Sequence, residues 1–495
     1  MPEAVRGGSS FRILFVVDIW ERFSFYGMQA ILYLYLVADR GDGGVGLSAS
    51  AGAAIFGAYL ALVFAAALPG GWLCDRVLGA APSTMYGGVL VMLGHLLLAV
   101  PATVCLPLGL VAIVAGTGLI KPAMLSMIGG LHPEGRGRRE AAFSFFYMSI
   151  QVSAILAPLL VGFLGERVNW HLGFACAGVG MGLGVVTFAA GRRHFAEADT
   201  RPRHPVAPEA ARPVVRRAGT VVLVAVAAVV AVVSAAGPRA ALALVALGLI
   251  LAPFLAYHSL MRAPEMTDGH RHQLRALRWL LLSAALFWGL YAQSGSVLSQ
   301  FTHDHVRRGM GGFTVPVSWF LAAHPFFLLV LAPAFGWLWL HRGRLVPPVP
   351  KVAAGLLLMG VSFLVMLFAA LQARSGPVGP VWLVGVYLLQ VCGELSLAPI
   401  LLSLCAEVGP PGHGGRLIGL FWLFSALGAG VFGQVAQGAS VAGAGYYLGI
   451  AVVTCAAAVG LAVAARALDH RLPADVQRPS AIPVSQSFPI DQEVA

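Results

Sequence analysis

Asp18-Ile19-Trp20-Glu21-Arg22-Phe23-Ser24-Phe25-Tyr26-Gly27 lies inside an apolar run that reaches from Phe11 to Val37. That run is long enough to cross a bilayer core of about 30 Å. A charge at such depth costs at least ~2.5 kcal/mol, so it persists where it is paired or functional. Asp18, Glu21 and Arg22 fall at i, i+3 and i+4, which places all three on one helix face where they neutralise one another. Tyr26 extends that face by a further turn. A helix carrying two acids, a base and a phenol into lipid is expected to line a polar cavity.

Composition agrees. The 495 residues are 58% hydrophobic and only 11% charged, with a mean hydropathy of +0.82. This excludes an ordinary soluble globule and indicates a polytopic membrane protein. The first run is too long and too charged for a signal peptide and lacks a small-residue cleavage site. The net charge of +11 does not imply nucleic acid, because the basic residues cluster between apolar spans. The six cysteines lie in apolar segments without CxxC spacing and read as packing residues, neither disulfides nor metal ligands. The chain holds two lysines, Lys121 and Lys351, and one asparagine, Asn169, among many arginines. Against that bias, a retained lysine or a lost arginine carries information.

Spans are predicted near 11–37, 51–78, 85–101, 104–131, 141–166 and 171–191. A Pro- and Arg-rich stretch, Arg192 to Arg217, follows. Two very apolar helices come next, near 219–236 and 240–261, then the basic segment Arg262–Arg278. Six more spans follow near 279–301, 316–340, 352–373, 380–407, 416–436 and 444–467. The organisation is thus an N-terminal six-helix bundle (1–191), linkers with two inserted transmembrane helices (192–278), a C-terminal six-helix bundle (279–467) and a tail (468–495) expected to be disordered. The fold class is an all-α membrane protein of 14 transmembrane helices. Arg76, the group Arg136/Arg138/Arg139, the 192–217 stretch, Arg342/Arg344 and Arg416 alternate with loops nearly free of base. This places both termini in the cytoplasm. Arg307 and Arg308, on an outer loop, are offset by Asp304. Two six-helix halves around a central basic segment resemble the major facilitator architecture, with a midplane site between the bundles. The inserted pair carries almost no polar side chain, so it is expected in lipid beside the bundles with a structural role.

Five further positions carry chemistry. Gly70-Gly71-Trp72-Leu73-Cys74-Asp75-Arg76-Val77-Leu78-Gly79 is similar to the G-x-x-x-D-R-x-x-G loop of the major facilitator superfamily. Its glycines allow close helix approach, and Asp75 is expected to accept hydrogen bonds from a facing helix start, the alternative being a solvated helix end. Lys121 follows Gly116-Thr117-Gly118-Leu119-Ile120 and precedes Pro122, deep in its span; the alternative to a site role is snorkelling to the surface. Glu394, in Cys392-Gly393-Glu394-Leu395-Ser396, is the sole acid embedded in the second half. It is neutral unless a cation such as Lys121 or a ligand amine answers it, or else protonated on a backbone carbonyl. His95 and His324 titrate in a useful range; His95 is expected to be a hydrogen-bonded packing residue.

Together these residues resemble the proton-coupled oligopeptide transporter (POT) family of the major facilitator superfamily, over about Phe11 to Arg466. The sharpest match is Asp18 to Gly27, similar to the family's ExxERFxYYG. Gly116 to Pro122, Phe287-Trp288 with Gln293, and Gly393-Glu394-Leu395 follow in order. The resemblance implies uptake of di- and tripeptides, or related zwitterionic solutes, driven by protons. It implies that Arg22 and Lys121 hold the ligand carboxylate with Tyr26 beside them, that Glu394 faces the ammonium, and that Glu21 and Asp18 respond to protons. It implies no cofactor, no metal, no enzymatic activity and no protein partner. The partners are solute, protons and membrane lipid, and the location is a bacterial inner membrane.

The departures from the family pattern are specific. Asp18 replaces a Glu and Phe25 a Tyr. Gln29 stands where many bacterial members have an Arg, and Ala292 where many have an acid, so an outer ion-pair gate is lost from both sides together. Gln151 and His324 replace asparagines; His324 is expected to contact ligand or to titrate in place of the missing acid. Val152 replaces a Gly, and Trp422 is displaced by one residue with Phe421 in its place. The narrowed pocket favours small dipeptides or modified amino acids. Two rival readings keep the fold: an exporter or exchanger of a specialised metabolite, and a transport-dead receptor signalling through the tail.

Overall fold

The computed structural model describes residues 3–102, 104–130, 136–195, 201–202, 216, 220, 238–342, 345–408, 410, 414–438 and 443–472. Six helices build the first bundle: α1 (Glu3–Val37), α2 (Ala49–Leu73), α3 (Ala80–Leu98), α4 (Cys105–Gly130), α5 (Arg136–Phe163) and α6 (Trp170–Gly191). The second inserted helix is α7 (Pro238–Met261). The second bundle holds α8 (Asp268–Tyr291), α9 (Val297–His305), α10 (Ala323–Arg342), α11 (Pro348–Gln372), α12 (Val381–Glu407), α13 (Gly414–Gly438) and α14 (Ala444–Asp469). Twelve of the described helical segments are long and apolar enough to cross a membrane. The charged α1, with 35 residues, makes a thirteenth span. The first inserted helix, near 219–236, lies outside the described residues apart from Thr220, as does the tail beyond Leu472.

Local chemistry sets several boundaries. Asn169, the one asparagine of the chain, caps α6: its Oδ1 accepts the His171 N–H at 2.8 Å. Thr267 caps α8, accepting the His270 N–H at 3.3 Å. That cap moves the helix start to Asp268, so much of the basic segment Arg262–Arg278 is helix rather than linker. Hydropathy locates where a helix meets lipid, not where it begins. The ninth predicted span is α8 and α9 joined through a 3-10 turn, Ala292–Gly295. A two-stranded hairpin, Gly309–Met310 with Phe313–Thr314, follows it, turning through Gly311 and Gly312 at positive φ.

Within the first bundle α1 packs on α5 and α6, and α3 on α4 and α6; in the second α11 packs on α12 and α14. The bundles meet along α2 and α13, where a Cβ on Gly57 would lie 2.8 Å from the Ala429 carbonyl oxygen and 2.8 Å from the Gly433 Cα. Only glycine permits that approach. The expected close approach in the first bundle is present too. A Cβ on Gly70 would strike the Gly118 carbonyl of α4. Helix α7 lies against α13 and α2 and leaves most of its surface outward, as expected of a helix bathed in lipid.

A set of polar contacts ties the bundles at one end. Glu166, just past α5, accepts hydrogen bonds from the Val317 N–H (2.7 Å), the Ser318 N–H (2.8 Å) and the Ser318 hydroxyl (2.5 Å) of the other bundle. Those amides open the turn that leads into α10, so a carboxylate there also meets the positive end of that turn. Trp319 donates to the Leu159 carbonyl at 2.9 Å, and Tyr33 to Gln300 at 3.0 Å. Alongside, α1 packs against the turn Ala292–Gly295, where Gln29 and Ala292 supply no ion pair. The clamp from Glu166 closes this end instead.

Candidate functional site

Asp18 and Glu21 are buried, 1% and 2% exposed. The Arg22 Nε lies 3.3 Å from Asp18 Oδ1 and 3.3 Å from Glu21 Oε2. The i, i+3, i+4 spacing therefore produces the expected three-charge cluster. The contacts are ion pairs rather than aligned hydrogen bonds, because Arg22 Nε has no hydrogen-bond partner. The Ser149 hydroxyl on α5 donates to Asp18 Oδ2 at 2.7 Å.

Lys121 reaches this cluster from α4 and lies within electrostatic range of Asp18, Glu21 and Arg22. Its ammonium sits 4.1 Å above the Phe25 ring and 6.0 Å from that of Phe64. No carboxylate pairs with it among the described residues. It is held by aromatic faces, through cation–π attraction of about 0.5–2 kcal/mol, and it keeps its hydrogen-bonding capacity for a ligand. Phe25, the departure from the tyrosine pair, is thus the platform for the lysine.

Glu394 enters from α12 in the opposite bundle. His324 of α10 answers it rather than Lys121: His324 Nε2 lies 3.3 Å from Glu394 Oε2. The two atoms are not aligned as a hydrogen bond, and both are otherwise without partners. Tyr26 on α1 lies within electrostatic range of both Arg22 and Glu394, so one phenol faces both bundles. Gln151 is buried on α5.

An aromatic wall connects the two charged ends. Phe64 stacks on Trp422 with 5.7 Å between centroids and 7° between planes. Trp422 meets Trp288 at 6.1 Å, Trp288 meets Tyr291 at 5.3 Å, and Tyr291 meets the His324 ring at 4.8 Å. The displaced Trp422 is therefore the residue of α13 that faces this wall, while Phe421 is fully buried. The Trp288 indole N–H and the Tyr59 hydroxyl are buried without hydrogen-bond partners, and Tyr59 lies within electrostatic range of Glu21. Buried donors of this kind are rare unless a ligand or water meets them. The sequence reading missed Tyr59, Phe64 and Tyr291. Their signal was a polar or aromatic ring in an otherwise aliphatic span, which is too common to single out.

Other expectations fall differently. Asp75 and Arg76 are exposed at a π-helical turn, Cys74–Leu78, and Asp75 makes no hydrogen bond among the described residues. Among the described residues the acid accepts nothing from a facing helix start and stands at an exposed helix end. His95 is fully buried, yet neither ring nitrogen has a hydrogen-bond partner, so it packs without the bond expected of it. Val152 falls on an exposed apolar stripe with Met148, Leu156 and Leu160. It lies off the face where Ser149 and Ser153 meet α1, which leaves it no role in narrowing the site.

Two bundles with facing charged walls define a membrane transporter of the major facilitator fold. The sequence profile of the POT family matches residues 83–447. The chain is 36% identical over 430 residues to the uncharacterized transporter YclF of Bacillus subtilis, covering 86% of each. It is 35% identical over 443 residues to the peptide transporter YePEPT of Yersinia enterocolitica, covering 85% of this chain and 86% of that one. A solved mutant of the peptide transporter POT, in complex with alafosfalin, superposes with a TM-score of 0.88 at 33% identity, over 95% of this chain and 99% of that one. This chain belongs to the POT family.

Proposed function

We propose that the protein is a proton-coupled symporter that imports di- and tripeptides or closely related zwitterions by alternating access. The observation that carries this reading is the division of charge. An unpaired ammonium at Lys121, beside Arg22, stands on one bundle, and the Glu394 carboxylate stands on the other. A zwitterion bridging them draws the bundles together, since each of its ends is answered only across the gap. The relatives support the substrate class: one is a peptide transporter by name, and a solved neighbour holds alafosfalin.

In this reading Arg22, Lys121, Tyr26 and Gln151 receive the carboxylate end, and Glu394 with His324 the ammonium end. Asp18, Glu21 and His324 carry the proton linkage, since no acid stands at Ala292. Both termini face the cytoplasm of a bacterial inner membrane, which makes the end clamped by Glu166 the outer one, closed in this state. Purified protein in proteoliposomes, given a dipeptide panel and an imposed inward proton gradient, should concentrate dipeptide. Accumulation that ignores the gradient, with rapid counterflow in its absence, would replace symport by exchange. No accumulation of any peptide would remove the reading.

A further inference from the structure

Helix α7 ends at Met261, and α8 starts at Asp268. Beside their joined ends, and against the end of α14, lies a cavity of about 490 Å³. Five arginines line it: Arg262, Arg271, Arg275, Arg278 and Arg471. Arg271, Arg275 and Arg278 stand at i, i+4 and i+7, so they share one face of α8. Like charges at that spacing destabilise a helix. An anion in the cavity would relieve the repulsion.

The protein supplies little of that compensation. Arg271 pairs with Asp268 at 2.9 Å and donates to the Met261 carbonyl at 3.2 Å, closing the end of α7. Arg262, Arg275, Arg278 and Arg471 have no carboxylate partner among the described residues. Arg278 lies 5.2 Å from the Trp279 ring, and that ring is half exposed.

The outward face of α7 leads into this cavity. Leu247, Leu251 and Leu255 are exposed, and the same face continues at three- and four-residue spacing through His258 to Arg262, which line the cavity. An apolar column thus runs down α7 and ends in a ring of guanidinium groups, with a tryptophan at the boundary where interfacial aromatics sit. The column and the ring together match a molecule with a phosphate head and acyl chains. A soluble anion would use the ring alone.

We propose that this cavity binds the headgroup phosphate of an anionic phospholipid whose chains lie along α7. Basic pockets between transmembrane helices are suited to such headgroups, and guanidinium forks match phosphate oxygens. The inserted helix would then fix lipid against α8 and the end of α14, on the flank of the second bundle. The inference is independent of the transported solute.

The test uses the full-length protein in detergent micelles doped with phosphatidylglycerol or phosphatidylcholine, with bound lipid read by native mass spectrometry. The wild type should retain phosphatidylglycerol and not phosphatidylcholine. The triple variant Arg262→Gln, Arg275→Gln, Arg278→Gln should bind phosphatidylglycerol about a hundredfold more weakly, at roughly fivefold per basic side chain. The matching triple variant to Lys, which keeps the charge, should recover most of the binding. Should the Gln triple fail to fold, Arg275→Gln alone, at an exposed position, should still lose about fivefold. Equal retention by the Gln variants and the wild type would overturn the proposal. Displacement of the lipid by inorganic phosphate at equal concentration would also overturn it, in favour of a soluble-anion site.

Discussion

Replacing Glu166 with Ala removes the carboxylate that accepts three hydrogen bonds from the opposite bundle, at 2.7, 2.8 and 2.5 Å. Charge-assisted bonds contribute about 1.5–3 kcal/mol each. Glu166 is only partly buried, so the low end applies and water satisfies some of the freed donors, leaving a net loss of about 3 kcal/mol. That is a shift of roughly 150-fold in the equilibrium between the state closed at this end and the state open there. Glu166→Gln keeps one acceptor oxygen and loses the charge, so about half of that energy should go. Spin labels at Asp39→Cys and Ser375→Cys, exposed positions on the two bundles, would read the gap by pulsed electron resonance in a background without the native cysteines. The Ala variant should show a second, longer distance that the wild type lacks, with the Gln variant between them. An identical distance distribution in all three proteins would refute the assignment of Glu166 as the clamp.

Lys121→Ala and Glu394→Gln should each reduce concentrative uptake at least tenfold while the protein still inserts; normal uptake by either variant would remove that residue from the site. Together the two substitutions should cost little more than one, because a ligand that cannot bridge gains nothing from its remaining partner; additive losses in the double variant would count against bridging. His324→Asn should leave ligand binding in place, read by thermal shift, and alter the pH dependence of uptake. An unchanged profile would return His324 to packing. Asn169→Ala should lower the melting temperature with an energetic cost of about 1 kcal/mol, the typical worth of a helix cap, and leave uptake per folded molecule unchanged. An unchanged melting temperature would show that the cap contributes nothing.

The residues legible in the sequence were those whose chemistry conflicts with their surroundings. Asp18, Glu21 and Arg22 stand out because charge in an apolar run is expensive, and their spacing along one helix already encodes their pairing. Lys121 and Glu394 stand out for the same reason. The pairing of Glu394 with His324 was not legible, because those residues lie on different helices and share no periodicity. Glu166 is the clearest case. At the end of a predicted span it looks like an ordinary loop acid, and its partners are Val317 and Ser318 in the other half of the chain. The wall of Phe64, Trp288, Tyr291 and Trp422 was hidden differently, since an aromatic ring in an apolar span is also what plain packing would use. Asp75 shows the reverse case: a motif match was legible, while the contact it implied is not found among the described residues.

The aromatic wall has a consequence for what passes between the bundles. Phe64, Trp422, Trp288 and Tyr291 form a continuous surface from the lysine end to the carboxylate end, and the Trp288 indole is its only buried donor without a partner. Such a surface holds charges only at its extremities and presents flat, polarisable carbon between them. On the proposed reading it works as a gauge of length: a solute is admitted by the separation of its two charged ends, and whatever hangs between them meets flat carbon and a single indole N–H.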